Sequence, residues 1–160
     1  MSRRNVNIIP FSQREMQSAW RENRSAYNLA QVKTNAHRLF LFYAVECGLK
    51  AIYIKRNLGE CTDDCPDLYR DGHNINKLLD LLNNGNDLKL HNIICMSDIT
   101  DKLDNTISRR LKPGQINQMW RYGGKLEKWG DESEQQSSTD EDLEGKLLTI
   151  CEFIEQELNR

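Results

Sequence analysis

Ala36-His37-Arg38-Leu39-Phe40-Leu41-Phe42-Tyr43-Ala44-Val45-Glu46-Cys47-Gly48-Leu49-Lys50-Ala51-Ile52-Tyr53-Ile54-Lys55-Arg56 is apolar almost all the way round. As a helix it makes about six turns. A helix that is hydrophobic on every side belongs in the middle of a protein rather than on its edge. Glu46 and Lys50 interrupt it four residues apart, so both fall on one face. A carboxylate and an ammonium placed there cost several kcal/mol to desolvate unless they find partners. They are expected to form a buried pair that fixes the packing register, or to line a functional cleft.

Working outward, Ser12 with Glu15 three residues later forms a capping-box pattern. Met16, Ala19, Trp20, Tyr27 and Ala30 follow at mostly helical spacing, which predicts a first amphipathic helix over 11–31. The apolar helix stops near Gly59, and 59–73 is rich in turn residues. Ile75, Leu78, Leu79 and Leu82 predict a short helix. Leu88, Ile93 or Ile94, Ile99, Leu103 and Ile107 predict another over about 87–110, broken by Pro113-Gly114. Residues 115–129, interrupted by Gly123-Gly124, read as helical. The stretch 131–142 is acidic, has no apolar residue and reads as a mobile loop. Leu143, Leu147, Ile150, Cys151, Ile154 and Leu158 close the chain on a last helix. With no period-2 pattern, the fold expected is all-α: one domain over 1–160, an up-and-down bundle of four to six helices.

At 160 residues the chain is large enough for a core of its own. It has no 18-residue uncharged run, and Met1-Ser2-Arg3-Arg4-Asn5 is not an apolar leader, so a soluble cytoplasmic protein with no membrane partner is expected. Five cysteines are then expected as thiols. Charge is uneven: residues 1–56 hold ten Lys and Arg against three acids, and the remainder twelve against twenty-one. Such asymmetry suits RNA contact by the basic part, or self-association of opposite ends.

No cofactor is expected. Cys61, Cys65, His91 and Cys95 form two close pairs of zinc-type ligands, each with three intervening residues, and a structural zinc is the one metal the spacing allows. There is no phosphate-binding glycine loop, no Gly-x-Ser-x-Gly elbow, no His-Glu-x-x-His and no Cys-x-x-Cys. Acid–base chemistry would fall to Glu46, His73 and Arg121. A binding surface would use Arg38, Lys50, Arg121 and Tyr122, because an aromatic stacks on bases while a guanidinium pairs with phosphate.

Tyr43-Ala-Val-Glu-Cys-Gly-Leu-Lys-Ala51, then Gly72-His73-Asn74-Ile-Asn-Lys-Leu-Leu-Asp-Leu-Leu82, then Trp120-Arg121-Tyr122 resemble, in order and spacing, the HEPN superfamily of small helical bundles over about 30–125. The resemblance implies a helical bundle that dimerises and works in RNA metabolism, toxin–antitoxin pairs, mobile elements or anti-phage defence. Ribonucleases of that superfamily carry Arg-x4–6-His on a late helix, and no arginine here is followed by histidine at that spacing. The expected function is therefore a non-catalytic module binding a partner protein or RNA. The alternatives are a divergent metal-independent endoribonuclease using Glu46, His73 and Arg121, and a zinc-stabilised subunit of a larger complex.

Overall fold

The computed structural model describes residues 8–84 and 86–160, with the backbone alone at Asn86. The N-terminal residues used above to argue against a leader, and the basic Arg3 and Arg4, lie outside them. The fold is mixed rather than all-α. Helices α1 (Gln13–Leu29), α2 (Asn35–Arg56) and α3 (Ile75–Leu81) precede strands β1 (Ile93–Thr100) and β2 (Thr106–Leu111). Helix α4 (Ile116–Arg121), strands β3 (Lys128–Gly130) and β4 (Gln135–Ser137), and helix α5 (Asp140–Leu158) complete it. The strands form one antiparallel sheet in the order β2-β1-β3-β4.

Helix α1 starts where its capping box predicts, with the Ser12 hydroxyl accepting from Glu15 N–H and Glu15 accepting from Ser12 N–H. Helix α2 is the centre of the molecule and packs on α1, α3, α4 and α5. Ten of its residues are buried, Glu46 among them. Gly48 faces α5 and α1: a Cβ there would lie 2.6 Å from Ile154 Cγ2 and 3.1 Å from Trp20 Cε3. Gly48→Ala should therefore destabilise by about 1–3 kcal/mol of overpacking, less the roughly 1 kcal/mol that alanine gains in a helix interior. Urea unfolding reads this directly, and an unchanged midpoint would mean that α5 can step back without loss.

One of the expected helices folds as strands, and another is helical only in its first half. The span 87–110 folds instead as the β1–β2 hairpin, in which Ile99 pairs with Ile107 and Thr100 with Thr106. The β-branched residues favour the pleated surface. Asp101 closes the turn by accepting from the Leu103 and Asn105 amides at 2.8 and 3.0 Å. Asp104 takes the left-handed conformation, φ 64°, that such a turn needs. Residues 115–129 are helical only as far as Arg121, and their end supplies β3. The acidic stretch 131–142 is not a single loop: between its turns it carries β4 and then the capped start of α5, where Thr139 Oγ1 accepts from Asp142 N–H. Gly130 is required there, because a Cβ would fall 2.1 Å from the Glu134 carbonyl oxygen.

The sheet joins the helical core at one end only. Ile94 is fully buried, and Met96, Leu111 and Trp129 pack on the core cluster, while Ser97–Thr100 and the first residues of β2 are exposed. No helix among the described residues is long and apolar enough to cross a membrane.

Candidate functional site

Tyr43, Glu46 and Lys50 lie at i, i+3 and i+7 on one side of α2, spanning about 10 Å along its axis. Glu46 is 5% exposed, so its carboxylate needs partners. It has two: Lys50 Nζ at 2.9 Å and His73 Nδ1 at 2.8 Å, both on Oε1. The pair expected from the sequence is thus a triad, with Lys50 largely covered and the His73 side chain 59% exposed.

The loop before α3 is built to deliver His73 to that carboxylate. Asp71 turns the chain in the left-handed region at φ 53°, and Asn74 N–H closes the turn on the Asp71 carbonyl at 2.8 Å. Asn74 Oδ1 then caps α3 by accepting from Lys77 N–H. Gly72 passes so close to α2 that a Cβ would lie 3.1 Å from Lys50 Nζ and 2.8 Å from the Leu68 carbonyl oxygen. A larger residue there would push His73 away from Glu46.

A carboxylate only accepts, so the proton in the Glu46–His73 bond sits on Nδ1. Nε2 has no protein partner among the described residues. The bond to Glu46 raises the His73 pKa above 6.5, against burial and the positive charges of Lys50 and Arg121. A histidine held by a buried carboxylate through one nitrogen, with the other free, is arranged to take and give a proton.

Arg121 and Tyr122 end α4 at the Tyr43 end of this stripe, both exposed. Arg121 donates to the Tyr43 hydroxyl at 2.5 Å. Trp120 between them and the core is buried and donates through Nε1 to Asp140 Oδ1 at 2.9 Å. The structure thus gathers Glu46, Lys50, His73, Arg121 and Tyr122 around one part of the surface, and adds Tyr43, which the sequence reading did not single out. Its signal was present: Tyr43 precedes Glu46 by one turn on the same face.

Arg38 belongs elsewhere. Its Nε donates to Glu144 Oε1 at 2.5 Å and its Nη1 to Asn35 Oδ1 at 2.9 Å, with Asp140 Oδ2 3.9 Å away. Tyr27 donates to the other Glu144 oxygen at 3.2 Å, and burial together with Glu144 pushes the phenol pKa up to about 12. The arginine expected on a binding surface is instead the link between α2 and α5.

The residues of the zinc expectation are also separated in role. Cys61 Sγ lies 3.8 Å from Asp64 Oδ2 in a 3-10 turn, and Cys65 is buried below Gly59. His91 packs on the Trp129 ring at 4.7 Å between centroids, and Cys95 is a buried position of β1 opposite Arg110 and Lys128. Among the described residues no three His, Cys, Asp or Glu side chains gather as a metal site would need.

No protein-family model matches the chain, and comparison with curated proteins and with solved structures returns no match. The HEPN resemblance therefore rests on the three segments that carry it, and the sheet built from residues 93–137 is foreign to the bundle it implies.

Proposed function

We propose that the surface around His73 binds RNA and cleaves it by attack of the adjacent 2′-hydroxyl. The observation that carries this reading is the His73 Nδ1–Glu46 Oε1 bond of 2.8 Å, which leaves Nε2 free on a half-exposed side chain that feels the charges of Lys50 and Arg121. His73 Nε2 takes the proton of the 2′-hydroxyl as O2′ bonds to phosphorus. The P–O5′ bond breaks, and O5′ takes a proton from water. Glu46 steadies the imidazolium so formed, and Arg121 offsets charge on the phosphoryl oxygens. Exposed Tyr122 supplies a stacking face for a base. An activity of this kind fits the defence or toxin–antitoxin setting that the resemblance implies.

The second reading is RNA binding without chemistry. It is favoured by Lys50 and His73 sharing one carboxylate oxygen, which is what tying the 70–74 loop to α2 requires. Labelled structured and single-stranded RNAs separate the two. Under the first reading the wild type cleaves, and His73→Ala lowers kcat/KM about a hundredfold. The wild-type rate should climb with pH and level off above the raised His73 pKa, since Nε2 must be unprotonated. Glu46→Gln should move that break to lower pH, because Glu46 is what raises it. Retardation without cleavage would establish the binding module, and neither effect would leave a partner protein as the ligand.

A further inference from the structure

A groove of about 430 Å³ opens beside the His73 loop, within the size range of small-ligand sites. Asn74, the residue after His73, forms part of its wall, and the facing wall is the 110–115 segment at the end of β2. The two walls touch: a Cβ on Gly114 would lie 3.5 Å from Asn74 Cβ. The groove is therefore continuous in chain with the catalytic surface proposed above.

Its lining divides into three chemistries. Ile93, Leu111 and Pro113 give an apolar floor. Arg110 and Lys112 bring two cations whose side chains make no ion pair or hydrogen bond among the described residues, unlike Arg38, Arg56 and Lys50. Asn92, Gln115 and Glu132 add amide and carboxylate groups at the edge. Gln115 spends its oxygen on Lys112 N–H, at 3.0 Å, so its amide hydrogens are left as donors. A flat apolar body with polar edges, joined to an anion, matches all three. That is the chemistry of a nucleotide. A purely anionic ligand would leave the floor unused, and Glu132 would oppose it; an apolar ligand would leave the two cations unmatched.

We infer that this groove binds one nucleotide of a single-stranded RNA whose neighbouring phosphodiester lies at His73. Its base rests on Ile93, Leu111 and Pro113, its phosphate meets Arg110 and Lys112, and Glu132 accepts from base amino groups. Single-stranded RNA is favoured over a duplex because a base must leave its stack to enter the groove. This rests on the His73 reading for the position of the scissile bond, and on the groove alone for binding.

The test is equilibrium binding of a fluorescein-labelled 2′-O-methyl RNA decamer, which internal attack cannot cleave, followed by anisotropy across a salt series. Arg110→Ser/Lys112→Ser should weaken binding tenfold or more. The slope of log K against log salt should fall by about 0.7, since Arg110 and Lys112 share one phosphate and each phosphate neutralised on a single strand contributes about that much. Lys102→Ser, which removes an exposed charge from the hairpin tip, should change neither. Thermal melts of the three proteins check that they are folded, and the single variants Arg110→Ser and Lys112→Ser replace the double one if it is not. Wild-type binding with an unchanged slope in the variants overturns the groove and leaves the His73 reading to its own cleavage assay. Absence of wild-type binding also overturns the groove. Weakened binding in the variants, with cleavage indifferent to His73→Ala, sustains the groove and overturns the acid–base role of His73.

Discussion

Arg38→Ala should lower the unfolding free energy by about 3–5 kcal/mol, because it strips a buried carboxylate of its counter-charge. The Arg38 side chain is 13% exposed and that of Glu144 9%, so water cannot take over the role. Among the described residues Glu144 would keep the Tyr27 hydroxyl, and Asp140 the Trp120 and Leu126 N–H groups. Arg38→Lys should recover only part of the loss, since a point charge cannot reach Glu144, Asn35 and Asp140 as the guanidinium does. The double variant Arg38→Met/Glu144→Leu should recover most of it, because buried ion pairs are commonly replaceable by apolar side chains of similar volume. Urea denaturation measures all three. A loss below half a kcal/mol in Arg38→Ala would show that Glu144 reaches solvent, and would return Arg38 to the list of surface cations.

The second large effect depends on pH. At pH 9, Lys50→Ala should cost about 3–5 kcal/mol for the same physical reason: Glu46 remains buried without a cation. At pH 6 the cost should be clearly smaller, because protonated His73 still bonds the same carboxylate oxygen. The sign follows from the direction of the shift. The His73 pKa is raised above 6.5, so its charged contribution is complete below that value and is lost as pH climbs through the raised one. Removing Lys50 also removes a positive charge that holds the His73 pKa down, which carries the crossover further upward. In the wild type the Lys50 contact to the same oxygen masks the change. Paired urea titrations of the two proteins at both pH values decide it. Equal losses at pH 6 and pH 9 would mean that His73 does not support Glu46 in solution.

Much of the helical part was legible because its signals are local. Ser12 and Glu15 announce α1, and the apolarity of 39–54, interrupted at Glu46 and Lys50, announces a central helix. The four-residue spacing of Glu46 and Lys50 announces their contact. The sheet was not legible, for two physical reasons. Beyond Met96 the hairpin is exposed on both faces, so nothing enforces the alternation of apolar and polar residues by which a half-buried strand is known. In its place Ile99, Leu103 and Ile107 fall four apart and imitate a helical stripe, although Leu103 is at the turn and the two isoleucines face each other across strands. Strands β3 and β4 are three residues each, too short for any period to show.

The site divides in the same way. Glu46 and Lys50 could be named because a charge in an apolar helix is conspicuous, and His73 because it is an acid–base residue within the 72–82 segment. That Arg38 would be claimed by Glu144 and Asp140 could not be seen, because the partners are more than a hundred residues away and Asp140 reads as part of a solvated acidic run. Arg110 and Lys112 were passed over because a helix ending near 110 gives them no common face, whereas the extended backbone at the end of β2 sets them along one wall of the groove.

The outer half of the β1–β2 hairpin is held by its own strand pairing and its own turn. Asp101 holds the Leu103 and Asn105 amides, and among the described residues no other element covers 102–106, all of which are exposed. Residues added between Lys102 and Asn105 would displace nothing from the core and would reach neither His73 nor the groove wall. That loop is consequently the place to splice in an affinity tag or a fluorophore attachment point while leaving the rest of the molecule undisturbed.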